Sequence, residues 1–102
     1  VVTAEGLRTC PLGKVRVAGV VTHRQRPATA QGTMFLNLED ETGLINVVVS
    51  RGCWLHFREI ARSAPALMVR GRLERHEGVV NVIAERLEPL EVAAALASRD
   101  FR

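Results

Sequence analysis

The stretch GTMFLNLEDETGLINVVVS, residues 32–50, decides the fold. Residues 33–39 alternate strictly, because one face carries Met34, Leu36 and Leu38 while the other carries polar residues and Phe35. Such alternation is typical of a strand with one face in a core. The turn DETG, residues 40–43, ends in a glycine that can adopt a positive φ, and residues 44–50 alternate again with β-branched side chains. The stretch therefore predicts a β-hairpin whose two strands bury the same face.

Three more strands and one helix flank this hairpin. Residues 15–26 are rich in β-branched side chains, with Gly19 where a bulge or sharp bend needs a small residue, and residues 27–32 form a loop. Residues 51–63 place apolar side chains at three- and four-residue steps and end before Pro65, which predicts an amphipathic helix. Residues 66–74 and 79–87 are two further strands, the second ended by Glu88 and Pro89.

The order of these elements predicts the fold class. Three strands, a helix and two strands make an all-β, five-stranded Greek-key barrel of the OB-fold type, with its helix between strands 3 and 4. An SH3-like barrel would lack this helix, and a ferredoxin-like fold would need an earlier crossover helix. We expect the OB-fold domain to cover residues 15–90, after a leader at 1–14. Residues 91–102 are then a linker or a short helix, since EVAAALA has high helix propensity.

Length and composition limit the chain to one small domain. Its 102 residues, 47% hydrophobic and 25% charged, are typical of a globular protein with a single modest core. No run of 18 apolar residues occurs, so the sequence predicts no transmembrane helix and no membrane partner. Because the chain begins at Val1 rather than at a Met, we expect it to be a piece of a longer protein.

The charge of the chain is unevenly distributed. The formal net charge is +3, yet no acidic residue lies between Glu5 and Glu39. Five basic residues fall in that stretch: Arg8, Lys14, Arg16, Arg24 and Arg26. This pattern indicates an anionic partner, usually nucleic acid, that approaches from one side. A solvated basic strand explains the same charge equally well.

Metal and catalytic sites find no support in the sequence. Cys10, Cys53 and the three histidines are scattered singly, whereas structural zinc needs ligands grouped in pairs. The three carboxylates at 39–41 occupy a turn, with no His or Lys at motif spacing and no phosphate-binding glycine loop. We therefore expect no cofactor and no catalytic residue in this domain. We also expect reduced cysteines and a cytoplasmic location.

The exposed face of the hairpin is the candidate binding site, because OB barrels bind single strands on strands 2 and 3. Phe35 is the only aromatic residue in any predicted strand, and it points into a polar row with Asn37. Its ring is suited to stacking on a nucleobase. The alternative is that strand coiling turns the ring inward, or that a neighbouring domain covers it. Asn46, on the adjacent strand, either offers its amide to a base edge or is merely solvated.

Several arginines are candidate phosphate contacts. Arg24 and Arg26 lead into a loop of small residues, where phosphate contacts would make binding depend on salt. Weaker candidates follow strand 3 or surround strand 4: Arg51, Arg70, Arg72, Arg75 and His76. In contrast, Trp54 and Phe57 lie on the apolar stripe of the helix and are expected in the core. Phe101 lies in the tail and carries no inference.

Residues 32–50 resemble the central hairpin of two kinds of OB domain. These are the OB domain of bacterial C-family DNA polymerases and the anticodon-binding domain of class II aminoacyl-tRNA synthetases for Asp, Asn and Lys. Both show an aromatic residue, an acid-rich turn with Gly and a β-branched strand. The resemblance extends to three longer segments: HRQRPATAQGTMFLNLEDETGLINVVV, CW in the helix, and APALMVRGRLERHEGVVNVIAERLEPL before an Ala-rich tail. They make residues 15–90 similar to the error-prone C-family polymerase α-subunit homologue of the translesion mutasome.

That resemblance implies a non-catalytic OB module of a much larger error-prone DNA polymerase, whose carboxylates and divalent metal lie in other domains. It also implies two mutasome partners, an inactive Y-family-like protein that contacts the sliding clamp and an accessory protein. In the synthetase relatives, the aromatic matching Phe35 stacks on an anticodon base, and a polar residue at the place of Asn46 approaches the bases. We therefore expect the domain to bind single-stranded template DNA. The alternatives are docking to mutasome partners or other polymerase domains, and tRNA anticodon recognition.

Overall fold

The computed structural model describes residues 1–97, in which five strands close into one barrel. The strands are β1 (Gly13–Gln25), β2 (Met34–Asp40), β3 (Gly43–Val49), β4 (Ala66–His76) and β5 (Val79–Leu90). They close in the order β1-β2-β3-β5-β4, with β3 and β5 parallel and the other pairs antiparallel. Helix α1 (Arg51–Ser63) connects β3 to β4, and a short helix α2 (Val92–Ala97) follows β5. The predicted five-stranded OB-fold barrel, with its helix between strands 3 and 4, is confirmed.

The long strand β1 belongs to two pairs. Residues 13–20 pair with β4, and residues 20–25 pair with β2 across an irregularity between Val21 and His23. Gly19 lies where the strand bends from one partner to the other. A Cβ at this position would lie 2.6 Å from the carbonyl oxygen of Glu39, closer than real Cβ contacts allow. The expected need for a small residue here therefore comes from the close approach of two backbones.

The core is formed by the faces that the alternation predicts. Met34, Leu36 and Leu38 on β2 are at most 4% exposed, as are the three inward residues of β3. Helix α1 adds Trp54 and Ala61 from its apolar stripe, so the predicted core position of Trp54 is confirmed, while Phe57 is half-buried. These contacts place α1 across one end of the barrel.

The N-terminal residues have a structural role that the sequence did not indicate. They form a short 3₁₀ turn (Gly6–Arg8) whose Leu7 is 2% exposed and belongs to the barrel core. The backbone N–H of Ala4 donates to Oδ2 of Asp40 at 2.8 Å, and Arg75 donates to the carbonyl oxygen of Leu7. The segment predicted to be only a leader therefore packs against the barrel, and β1 begins at Gly13 rather than at residue 15.

The other element bounds differ from the predicted ones mainly at β5. This strand continues to Leu90, so the prediction that Glu88 and Pro89 end it is wrong. Among residues 1–97, the only strand that pairs with β5 beyond Ile83 is β4, and a proline is tolerated where a strand lacks a second paired strand. Strand β4 also runs two residues further, to His76. Residues 98–102, including Phe101, lie outside the described part of the chain.

Candidate nucleic-acid interface

One row of outward side chains crosses the barrel at Phe35. Strand register places five residues side by side on successive strands, and we call them the Phe35 row: Gln25, Phe35, Val48, Ile83 and Arg72. Phe35 is 42% exposed, while Val48 and Ile83 are half-buried beside it. Because neighbouring strands lie about 4.8 Å apart, Arg72 is about 14 Å from Phe35 along the row. The row thus joins an aromatic and aliphatic strip to a cationic end.

The outward position of Phe35 follows from the packing of β2. Its neighbours Met34 and Leu36 are buried in the core, and successive side chains of a strand point to opposite faces. The alternative that strand coiling turns the ring inward is therefore wrong. An exposed ring at this point can stack on a planar base.

A second row, two residues further along the strands, is rich in amides. We call it the asparagine row: His23, Asn37, Asn46, Asn81 and Glu74. Two residues of a strand span about 7 Å, so a base stacked on Phe35 would have this row within reach of its edge. The polar residues predicted at 37 and 46 are thus brought together, opposite each other on β2 and β3.

Hydrogen bonds fix the orientation of two amides in this row. Nδ2 of Asn46 donates to the carbonyl oxygen of Val80 at 3.2 Å, and Nδ2 of Asn37 donates to Oδ1 of Asn46 at 2.7 Å. A carbonyl oxygen can only accept, so Asn46 must turn its NH₂ group towards Val80. Its oxygen then faces Asn37, whose own Oδ1 is left pointing away from this bond. The pair can therefore offer a base edge both an acceptor, from Asn37, and a second N–H of Asn46.

Arg24 is engaged at the end of helix α1. Its Nε donates to the carbonyl oxygen of Ala61 at 2.9 Å, and its Nη2 donates to the carbonyl oxygen of Ala64. Ala64 is the C-cap of the helix, where backbone carbonyls lack intrahelical partners and the helix dipole is negative. Arg24 thus caps a helix, which leaves fewer of its donors for the phosphate contact expected from the sequence.

Arg26 lies over Trp54, with its guanidinium carbon 4.3 Å from the ring centroid. The contact combines cation–π attraction with stacking of two flat groups. Arg26 remains exposed and borders a groove of about 520 Å³ between the end of β1 and α1, which Arg58 and Arg62 also line. This position suits the predicted phosphate contact, since the cation is held in place yet open to solvent.

Arg51 begins helix α1 beside the start of β2. A Cβ added at Gly32 would lie 3.0 Å from Cγ of Arg51, so the aliphatic part of this side chain packs over the glycine. Arg51 is exposed, and the described residues provide it with no ion pair. Gly32 is three residues before Phe35, which places this cation at the same end of β2 as the ring.

The two predicted arginines of β4 have different environments. Arg72 ends the Phe35 row and lies 3.9 Å from a carboxylate oxygen of Glu74, with both side chains more than half exposed. Arg75 donates to the carbonyl oxygens of Leu7 and Cys10 and so holds the N-terminal segment on the barrel. Of the two, Arg72 is placed to reach a bound strand, whereas Arg75 already uses its N–H donors on backbone carbonyl oxygens.

The basic residues of the first third do not share one side of the barrel. Lys14 and Arg16 lie on the half of β1 that pairs with β4, whereas Arg24 and Arg26 lie beyond the bend, next to α1. The prediction of a single basic side formed by this stretch is therefore wrong. A strand that pairs with two different partners distributes its charges over two surfaces.

Register also adds residues that sequence reasoning missed, namely Ile83 and Asn81 on β5. Their side chains lie beside Val48 and Asn46 because β5 pairs in parallel with β3. No local signal identifies them, since the alternation of β5 is weak and the pairing joins strands far apart in sequence. Only the closed order of the barrel brings them to the Phe35 face.

Residues 1–97 contain no cluster of three or more His, Cys, Asp or Glu placed to hold a metal ion. Cys10 and Cys53 are free and half-buried, and burial raises the pKa of the Cys53 thiol.

Asp40, the middle carboxylate of the acidic turn, has a structural role. Its Oδ1 accepts from the backbone N–H groups of Thr42 at 2.8 Å and Gly43 at 3.1 Å. Residues 1–97 contain no helix longer than the 13 residues of α1, which is too short for a transmembrane span.

The chain is similar to segments of several proteins named error-prone DNA polymerase. It is 60% identical over 90 residues to the protein of Cutibacterium acnes, a match that covers 87% of this chain and 8% of the polymerase. The protein of Mycolicibacterium paratuberculosis is 52% identical over 103 residues, or 100% of this chain and 9% of that protein. The chain therefore spans less than a tenth of the length of these relatives. The predicted resemblance to the error-prone C-family polymerases is confirmed.

Solved structures with similar backbones include a synthetase and a single-strand binding assembly. Asparaginyl-tRNA synthetase from Pyrococcus horikoshii, complexed with asparaginyl-adenylate, matches with a TM-score of 0.73 and 26% identity. The match covers 88% of this chain and 22% of the synthetase. A replication protein A heterotrimer bound to ssDNA matches with a TM-score of 0.64 and 22% identity, over 90% of this chain and 69% of that one. This second likeness shows the fold alone.

The family assignment rests on most of the barrel. Residues 15–90 match the model of the family described as an OB-fold nucleic acid binding domain. The matched range includes the Phe35 row, the asparagine row and helix α1. The chain belongs to the OB-fold nucleic acid binding domain family.

Proposed function

We propose that this domain is a non-catalytic module of an error-prone DNA polymerase and binds single-stranded template DNA on the Phe35 row during translesion synthesis. One observation carries the proposal. Phe35, the only aromatic side chain on a strand of the described barrel, is 42% exposed in the middle of a sheet face, between an aliphatic strip and a row of amides. The identity to error-prone polymerases supports DNA as the ligand, and the replication protein A structure shows a similar fold bound to ssDNA.

The bound strand has a defined course in this proposal. One base stacks on Phe35, and its edge meets the Asn37 and Asn46 amides about 7 Å along the strands. The phosphates on either side run between Arg51, which begins α1 beside the start of β2, and Arg72, at the far end of the row. Arg26 extends the cationic path towards α1. The module needs no metal of its own, since the catalytic carboxylates and divalent ion belong to other domains of the parent. As part of the DNA machinery the domain acts in the cytoplasm.

Titration of the chain with a fluorescein-labelled oligo(dT) tests this function. Replacing Phe35 with Ala removes one stacking platform, so the dissociation constant is expected to rise roughly 5- to 150-fold. Leu44→Ala is the matched control, because Leu44 is 57% exposed on the adjacent strand but lies outside both rows. It should change affinity less than twofold. Equal affinity of Phe35→Ala and the wild type, or no binding at low salt, would contradict the proposal.

Docking to protein partners is a second candidate, and one observation favours it. Leu44 and Val79, both more than half exposed, line one hollow at the N-terminal ends of β3 and β5. Adjacent exposed apolar side chains are a feature of protein contact sites. The partners would be the inactive Y-family-like protein, the accessory protein or other parts of the polymerase. A pull-down in the presence of nuclease separates the candidates, since docking predicts retention that Leu44→Ala abolishes and Phe35→Ala leaves intact.

The same titration distinguishes binding of single-stranded DNA from recognition of tRNA. The similarity to an asparaginyl-tRNA synthetase makes tRNA the relevant competitor. Unlabelled oligo(dT) should displace the labelled strand at lower nucleotide concentration than tRNA does. The reverse order would assign the Phe35 row to RNA.

A further inference from the structure

Three arginines lie side by side on the part of the barrel furthest from the β2–β3 pair. Arg16 on β1 is the register partner of Arg70 on β4, and Arg70 is the register partner of Arg86 on β5. All three side chains are exposed, so they point outward from three neighbouring strands. In the closed order β1-β2-β3-β5-β4, strand β4 lies two places from both β2 and β3 along the shorter path. We call this set the arginine triplet.

The arginine triplet opposes folding. Side chains directly opposite each other in an antiparallel pair have Cβ atoms about 5 Å apart, and like charges in these positions destabilise the sheet. Here the repulsion occurs twice, once on each side of Arg70. Nothing in the barrel requires long cations at these outward positions, so packing does not explain them.

Two carboxylates of this surface are taken up by ion pairs, one of which reaches across β4. Lys14 pairs with Glu85 at 2.8 Å, and Arg86 pairs with Glu88 at 3.3 Å. The hydrogen bond from Lys14 lowers the pKa of the Glu85 carboxyl.

The central cations have no such partners. Among residues 1–97, neither Arg16 nor Arg70 has a side-chain hydrogen bond or ion pair, whereas Arg72 faces Glu74. The surface therefore keeps two guanidinium groups that have no carboxylate partner within residues 1–97.

A groove of about 430 Å³ runs between these side chains. It is lined by Lys14, Val15, Arg16, Arg70, Gly71, Glu85 and Arg86. Val15 and Gly71 are buried, so the exposed residues that line the groove are all charged. The shape and charge suit an extended polyanion.

The chemistry of the lining favours phosphate over an acidic protein. Protein contact sites have an apolar centre, and none of the exposed large hydrophobic residues of the described chain lines this groove. Protein–DNA interfaces are more polar and more positively charged, and guanidinium groups bind phosphate through paired donors. The groove also lacks an exposed aromatic ring, so it offers bases no stacking platform. A duplex, whose bases are stacked inside and whose phosphates lie outside, is the nucleic acid that fits such a surface.

We propose that Arg16 and Arg70 bind the phosphate backbone of a nucleic-acid duplex on the side of the barrel away from Phe35. The two surfaces would let one domain contact a duplex and a single strand at the same time. This inference does not depend on the proposed function of Phe35, because no residue of the Phe35 row lines the groove; the two surfaces adjoin only where Lys14 pairs in register with Arg72.

Titrations of the full chain with a short labelled DNA duplex and with labelled oligo(dT) test the inference. The double variant R16Q/R70Q should weaken duplex binding about tenfold or more and reduce the slope of log K against log salt by about 2. Its affinity for oligo(dT) should change less than threefold. Phe35→Ala should show the opposite pattern, so failure of either site is seen independently of the other.

The control removes the same charge elsewhere. R58Q/R62Q, on the exposed face of α1, should leave duplex affinity within about threefold of the wild type, because these arginines lie outside the groove. The Tm of R16Q/R70Q should equal or exceed that of the wild type, since like-charge repulsion is relieved. Unchanged duplex binding in R16Q/R70Q, an equal loss in R58Q/R62Q, or a lower Tm of R16Q/R70Q would overturn the proposal. Displacement of the duplex by poly-glutamate at lower concentration than by unlabelled duplex would assign the groove to an acidic protein instead.

Discussion

Arg24 lies near the end of β1 and Arg26 follows directly after that strand, yet their contacts differ. Arg24 donates to two carbonyl groups at the end of α1, whereas Arg26 lies over the Trp54 ring and borders the solvent-filled groove. From sequence they are equivalent cations before a loop. What separates them is the position of α1, a helix that begins 25 residues after Arg26 in the chain. A side chain's role here depends on a long-range contact.

Arg24→Gln should therefore destabilise the barrel without abolishing binding. Charge-assisted hydrogen bonds contribute roughly 1.5–3 kcal/mol, and the variant loses two of them to the α1 carboxyl end. We expect the free energy of unfolding, measured by urea denaturation, to fall by about 1–3 kcal/mol. Oligo(dT) affinity should stay within about threefold. Arg26→Gln is the matched control. It should weaken oligo(dT) binding and leave the free energy of unfolding nearly unchanged. A stable Arg24→Gln protein that no longer binds DNA would contradict the capping role.

Among the larger elements, the N-terminal segment is the one that the sequence least reveals. Its 3₁₀ turn places Leu7 in the core, and Asp40 accepts the Ala4 backbone N–H while also ordering its own turn. Arg75 then holds the far side of the segment. Asp40 and Arg75 thus link the first residues to both the β2–β3 hairpin and β4, which closes the end of the barrel opposite α1.

Leu7→Ala should show how much the N-terminal segment contributes to the free energy of unfolding. Leu7 is 2% exposed, and removing a buried leucine side chain costs about 2–5 kcal/mol through lost burial and the cavity left behind. Thermal and urea unfolding of the variant should show that loss. Leu12→Ala provides the control, because Leu12 precedes β1 and is 63% exposed. Unfolding free energies of the two variants that agree within error would show that the segment is only loosely attached.

Local patterns predict some elements well and others poorly. The hairpin and α1 follow from alternation and helical periodicity, because each buries one continuous face and so repeats its pattern in sequence. The end of β5 does not, since Pro89 is tolerated only where the strand has a single neighbour. That condition belongs to the closed sheet and has no trace in the residues around the proline.

At the scale of the whole molecule, the fold distributes the basic residues between Glu5 and Glu39 over two surfaces of the barrel. Lys14 and Arg16 belong to the face around β4, and Arg26 belongs to the side of α1 and the Phe35 row. The bend of β1 at Gly19 separates them. The net charge of +3 predicts an anionic partner but not where it binds, because charge sums ignore which neighbour each strand pairs with.

The candidate site was accessible from sequence only in part. Phe35, Asn37 and Asn46 follow from strand parity within one hairpin, where the partner strand is a turn away. Ile83 and Asn81 enter the same face through a parallel pair between β3 and β5, which no local pattern specifies. Likewise, the division of Arg24, Arg72 and Arg75 between backbone and solvent depends on contacts more than 30 residues apart or on the closed strand order.

An NMR chemical-shift map with a short oligo(dT) at low salt tests whether single-stranded DNA binds on the Phe35 row. We predict that the backbone amide peaks of Phe35, Val48 and Ile83, together with the side-chain amide peaks of Asn37 and Asn46, shift in one saturable transition. The backbone amide peaks of Leu12 and His76, which lie outside both rows, should not shift. Shifts confined to residues outside the Phe35 and asparagine rows, or no shifts at saturating oligonucleotide, would contradict the assignment of this face to single-stranded DNA.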